Sequence, residues 1–271
     1  MLLKLLLTIA SIFTSPFRGP VDPDKPYEAT PYGPQNWEDA ILARQALQGE
    51  NDDILDFEDD EPSYAGINGT QYRWPGYPGA GTIPYVLDAA VQRDQNLVKL
   101  INDAIKQYET NTCIRFVKRK NEQNYVKIIK DDGKCYSVVG LKTRYRQPQP
   151  LSLGGGCEYI GTVVHELGHA IGLFHEHQRS DRDSFINVYD QNIQAGMSRN
   201  FNKTDPIDEL KWAIYDYTSI MHYGEYAFSK QPGKLKTMEA NDGKTKLLEP
   251  YDRPGLNQND IDLVKKLYKC K

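Results

Sequence analysis

Three histidines of this 271-residue chain fall inside eleven positions, in the segment His165-Glu166-Leu167-Gly168-His169-Ala170-Ile171-Gly172-Leu173-Phe174-His175. Residues four apart lie on one face of a helix, so His165 and His169 can offer their imidazoles to a single ion. Gly172 suits the left-handed backbone that ends a helix, after which the chain can turn and return His175 as a third ligand. Three neutral imidazoles at about 2.0–2.1 Å leave a fourth position open, the arrangement of a catalytic zinc rather than a closed structural one. One Zn2+ per chain is therefore expected. Zinc lowers the pKa of a bound water from about 15.7 to about 7, and Glu166 is placed to take its proton as general base. A bare His-Glu-x-x-His also arises as an exposed helix face. Gly172 and His175 at their spacing argue against that reading. His177 and His222 lack a partner at ligand-like spacing and read as packing or hydrogen-bonding residues.

The elements that must position these residues follow from periodicity. Ile160, Val163, Val164, Leu167 and Ile171 cover the rest of a helix expected over 158–171 and can anchor it in a core. A second helix is expected over 94–108, with Leu97, Ile101, Ala104, Ile105 and Tyr108 on one face. Residues 82–87, 113–117 and 125–129 read as strands, and 136–141 and 150–153 as weaker ones. Beyond Gly172 the pattern loosens until a terminal helix over 260–268. The fold class is α+β, with an ordered first half and a loop-rich second half.

Charge divides the chain. Residues 16–64 carry thirteen Asp or Glu against three Lys or Arg, whereas 65–271 carry 24 acidic and 29 basic residues. The acidic stretch reads either as an inhibitory arm or as a solvated tail. Its six prolines between 16 and 34 give it no core of its own, and residues 37–47 allow a short helix. The whole-chain charge of -4 suggests neither nucleic acid nor a membrane surface as a partner. Residues 1–15 read as a secretory signal, too short in their apolar run to span a bilayer. A secreted, extracellular product is expected, with the even count Cys113, Cys135, Cys157 and Cys270 forming two disulfides in one of three pairings. Asn68-Gly69-Thr70 and Asn202-Lys203-Thr204 are N-glycosylation acceptor sequences.

The fuller run from His165 to Asp183, HELGHAIGLFHEHQRSDRD, resembles the zinc signature of astacin-type metallopeptidases within the metzincin clan, where Glu176 after the third histidine is the astacin-like choice. Ser219-Ile220-Met221-His222-Tyr223 is similar to that family's Met-turn, and the likeness runs over about 74–270. The resemblance implies a zincin-like fold: an upper subdomain to about residue 172, with a twisted five-stranded sheet and two helices, and a loop-rich lower subdomain, 173–271, with the C-terminal helix. It implies Met221 as the apolar floor beneath the zinc and Tyr223 as a further ligand that turns to hydrogen-bond the oxyanion. It pairs Cys113 with Cys270 and Cys135 with Cys157.

After the signal peptide (1–15), the same resemblance implies a propeptide (16–64) and a catalytic domain (65–271) whose new amino terminus connects through water to Glu176. A propeptide carboxylate is expected to hold the precursor latent. The family's usual context is Phe-x-Gly-Asp. Here Glu50 follows Gly49, and Asp53 offers a second alignment, so both are candidates. The expected activity is endopeptidase cleavage of extended polypeptides by a monomer released by an activating protease. The competing reading is a catalytically silent secreted binding protein on the same scaffold.

Overall fold

The computed structural model describes residues 66–143, 148–206, 210 and 214–271, all within one unit, 34–271. The leader, the helix expected over 37–47 and the carboxylates Glu50 and Asp53 lie outside the described residues. Five strands form the main sheet: β1 (Gly81–Leu87), β2 (Ile114–Lys118), β3 (Val126–Ile129), β4 (Cys135–Ser137) and β5 (Gln149–Leu153). Their order is β2-β1-β3-β5-β4, parallel except for β4, which runs antiparallel to β5 at one edge.

Parallel β1 and β2 need a crossover, supplied by α1 (Ala89–Arg93) and α2 (Gln95–Asn111). Asp88 caps α1 by accepting from Ala90 N at 2.7 Å, and Asp94 caps α2 by accepting from Leu97 N at 3.0 Å. All five apolar residues expected on one face of α2 are buried against the sheet core. The strand expected over 136–141 stops at Ser137, and the amides of Gly140 and Leu141 bond outside the sheet. Gly140 N donates to His169 O and Leu141 N to Tyr72 O, both at 2.9 Å.

The helix α3 (Ile160–Ile171) is buried at every residue from Gly161 onward. A helix end leaves its last four carbonyls without intrahelical donors, and here each finds one. Gly172 N and Leu173 N serve Gly168 O, and Gly140 N serves His169 O. Trp74 Nε1 donates to Ala170 O at 2.7 Å, and Tyr268 OH to Ile171 O at 2.8 Å. Gly172, at φ 119°, then turns the chain out of the helix.

The lower half has its own small core, which includes Ile186, Met197, Phe201, Tyr215, Tyr223 and Met238. Among its described residues, short 3₁₀ turns flank β6 (Ile186–Val188), which pairs antiparallel with β7 (Met238–Ala240). The terminal helix α4 (Gln258–Tyr268) returns to the first core, packing Val264, Leu267 and Tyr268 there together with Ile220 and Met221. All four cysteines are paired: Cys113–Cys270 ties the start of β2 to the end of α4, and Cys135–Cys157 ties β4 to the turn before α3. Loop closure over 157 and 22 residues corresponds to about 5 and about 3 kcal/mol of stabilisation in the chain-entropy account.

Candidate metal centre

The helix period and the turn at Gly172 bring three imidazoles to one point. The Nε2 atoms of His165 and His169 are 3.0 Å apart, and His175 Nε2 lies 3.2 Å and 3.1 Å from them. All three rings are buried, at 3 %, 0 % and 2 % exposure. The outward nitrogens settle which atoms carry protons. His165 Nδ1 donates to Ile220 O at 2.8 Å, and His169 Nδ1 donates to Leu173 O at 2.8 Å. Carbonyl oxygens only accept, so these rings carry hydrogen on Nδ1 and lone pairs on Nε2. His175 Nδ1 meets Gln178 Oε1 at 3.0 Å in the same sense.

Three converging lone pairs repel unless a cation lies among them. Tetrahedral ligands at about 2.05 Å from zinc stand about 3.3 Å apart, close to the spacing here, so the donor set fits one zinc ion. Burial pushes His165 down to about 4, and His169 and His175 well below the usual imidazole range. The ligands are thus neutral at pH 7. Among the described residues, this trio is the cluster of His, Cys, Asp or Glu able to hold a metal.

Glu166 is carried on α3 between the first two histidines and is 2 % exposed. The Tyr223 ring lies 4.3 Å from that of His175 and stacks at 4.1 Å on His177. Met221, 1 % exposed, sets its sulfur against Gly168: a Cβ there would sit 2.8 Å from Met221 Sδ and 2.9 Å from Tyr108 OH. The turn itself is tied to α4. Asp260 accepts from Ser219 Oγ at 2.6 Å and from Ile220 N at 3.1 Å, and Glu176 N donates to Met221 O at 3.0 Å.

The Glu176 carboxylate, pushed up to about 7 by burial, accepts from Arg179 at 2.8 Å and from Asp216 N at 3.0 Å. Gly66 and Ile67 are buried where the chain pairs with Gly172 and Leu173, and Ile67 N donates to Gly172 O at 3.0 Å. Asn68 and Asn202 are exposed. His177 and His222 are buried, with His177 Nε2 on Asn200 O at 2.9 Å and His222 Nε2 on Tyr215 OH at 2.8 Å.

Sequence reasoning missed Gln178, Asp260 and the carbonyls of Leu173 and Ile220. Backbone acceptors leave no residue-type signal. Asp260 stands 40 residues from the turn it holds. Gln178 carried a readable cue, since a side chain three positions after a ligand can fold back onto it.

Comparison with known proteins agrees with this geometry. Residues 67–269 match the peptidase-family model Astacin. The chain is similar to astacin-like metalloprotease toxin 1 of Loxosceles intermedia, 41 % identical over 212 residues that cover 78 % of each chain. It is 34 % identical to zinc metalloproteinase nas-6 of Caenorhabditis elegans over 87 % of this chain and 65 % of that one. Among solved structures, it resembles high choriolytic enzyme 1, a hatching-enzyme zinc protease of the medaka Oryzias latipes. That match has a TM-score of 0.64 at 36 % identity, covering 73 % of this chain and 95 % of the other. A buried three-histidine zinc site on an α+β scaffold, matched along this length, places the chain in the astacin family as a zinc metalloendopeptidase acting on polypeptides.

Proposed function

We propose that this peptidase is secreted as a latent precursor and cleaves internal bonds of extended polypeptides with Glu166 as general base and Tyr223 as oxyanion donor. The observation that carries this reading is the convergence of three Nε2 lone pairs beside Glu166 and Tyr223. His165, His169 and His175 would hold the zinc, which supplies a Lewis acid and lowers the pKa of water bound to it to about 7. Glu166 takes a proton from the attacking water and returns it to the leaving amine, a role worth about 10²–10⁴ in rate. The Tyr223 phenol donates to the oxygen on which charge develops, and so favours the transition state over the ground state. Met221 packs beneath the imidazoles as an apolar support.

Secretion is supported by the leader-like residues 1–15 and by the pairing of all four cysteines, which persists in oxidising compartments. Latency would rest on Glu50 or Asp53 in the acidic stretch, released when an activating protease cuts near Ala65 or Gly66. The burial of Gly66 and Ile67 supports a new terminus docked against Leu173, with Glu176 nearby in the chain. Exposed Asn68 and Asn202 can carry glycans, and the enzyme acts as a monomer.

The test is casein cleavage by the activated protein beside its Glu166→Gln variant, with zinc content measured in both. Activity in the wild type, reduced about 10²–10⁴-fold in the variant at equal zinc, is expected. Equal cleavage by both contradicts the role of Glu166. Zinc bound but no cleavage by either supports the silent binding-protein reading instead.

A further inference from the structure

The outward nitrogens of the three imidazoles are held by two different kinds of group. His165 and His169 donate to backbone carbonyls, which no substitution removes. His175 Nδ1 meets a side chain, Gln178 Oε1, at 3.0 Å. Gln178 is 5 % exposed, on the short 3₁₀ turn Glu176–Gln178. Its backbone is fixed independently: its N donates to His175 O at 3.2 Å, and its O accepts from Thr204 N at 2.9 Å. The turn is further clamped by the Arg179–Glu176 ion pair at 2.8 Å, and by Arg182, which donates to His177 O at 3.2 Å.

A carboxamide can present either an acceptor or a donor, so it can select either tautomer of a facing imidazole. With Oε1 toward Nδ1, the hydrogen sits on Nδ1 and the Nε2 lone pair faces the other two rings. With the amide nitrogen there, Nδ1 would have to accept and an N–H would point into the cluster. The geometry points to Gln178 as the positioning residue of the third ligand: its amide oxygen fixes the tautomer and ring orientation of His175, and so sets how tightly this chain holds zinc. Outer partners of metal-bound imidazoles carry such weight because they orient the ring and raise its basicity. The inference rests on the reading that the three histidines hold the metal.

The test compares zinc dissociation constants of the wild type, Gln178→Met and Gln178→Glu by competition with a chromophoric chelator, using the full chain. The melting temperature of each metal-free protein is recorded alongside. Methionine fills similar volume without a strong acceptor, and glutamate keeps acceptors only. Gln178→Met is expected to bind zinc about 10–100-fold more weakly, while Gln178→Glu binds at least as tightly as the wild type. Equal affinity of Gln178→Met and wild type overturns the inference. So does a loss in Gln178→Glu as large as in Gln178→Met. A purely structural role would lower the metal-free melting temperature in both variants and leave their zinc affinities alike. Should Gln178→Met fail to fold, a Gln178→Glu protein that binds zinc more weakly than the wild type still overturns the inference. A wild type that binds no zinc would refute the three-histidine centre itself.

Discussion

His165 Nδ1 donates to Ile220 O across 55 residues of sequence, so the first imidazole is aimed by the turn that also carries Met221. That turn hangs on α4, through the bonds of Ser219 Oγ and Ile220 N to the Asp260 carboxylate. The metal centre is thereby tied to the last helix, and the last helix through Cys270 to β2.

Asp260 gives a pH dependence with a definite sign. Burial pushes its pKa up to about 6, against about 3.9 for an unfolded Asp. The folded state therefore holds this proton more tightly. The resulting stability is full below about pH 4 and is lost as pH rises through 6, by at most about 3 kcal/mol. Urea unfolding of the wild type and Asp260→Asn between pH 4 and 7, at the same zinc concentration, should show the wild type losing stability relative to the variant. A difference that stays flat contradicts the assignment.

Gly168 is a place where helix propensity predicts the wrong outcome. In a helix interior, Gly→Ala gains about 1 kcal/mol. Here the added methyl meets Met221 Sδ and Tyr108 OH at under 3 Å, and Tyr108 is fixed by its own bond to Val164 O at 2.8 Å. Overpacking costs about 1–3 kcal/mol, so Gly168→Ala should lower Tm by a few degrees. A raised Tm in a thermal melt would show that the Met221 side chain yields freely.

Latency predicts a gain of function. The uncleaved precursor carrying both Glu50→Gln and Asp53→Asn should cleave casein without processing, while the wild-type precursor does not. Full latency in the double variant removes both carboxylates as the switch.

The first half was legible in the sequence because its signals are local. Leu97, Ile101, Ala104, Ile105 and Tyr108 repeat on one helical face, and all are buried. His165, His169 and His175 owe their convergence to a helix period and one glycine. The five-residue helix α1 was missed because it is too short for periodicity to register. Likewise β6 and β7 are three residues each and pair across about fifty residues, which no window sees. Residues 138–141 look like strand, but Gly140 and Leu141 spend their amides on His169 and Tyr72, a tertiary choice that overrides propensity. The supports of the site share this character, since Ile220, Asp260 and Leu173 act through backbone atoms or from far along the chain.

Titrating the metal-free, activated protein with zinc, with bound metal and casein cleavage followed together, asks whether the three histidines build the peptidase centre. Activity is expected to rise linearly and break at one zinc per chain, and His175→Ala is expected to abolish both the break and the activity. Full cleavage without zinc, or unchanged titration by His175→Ala, would contradict a peptidase centre built on these three histidines.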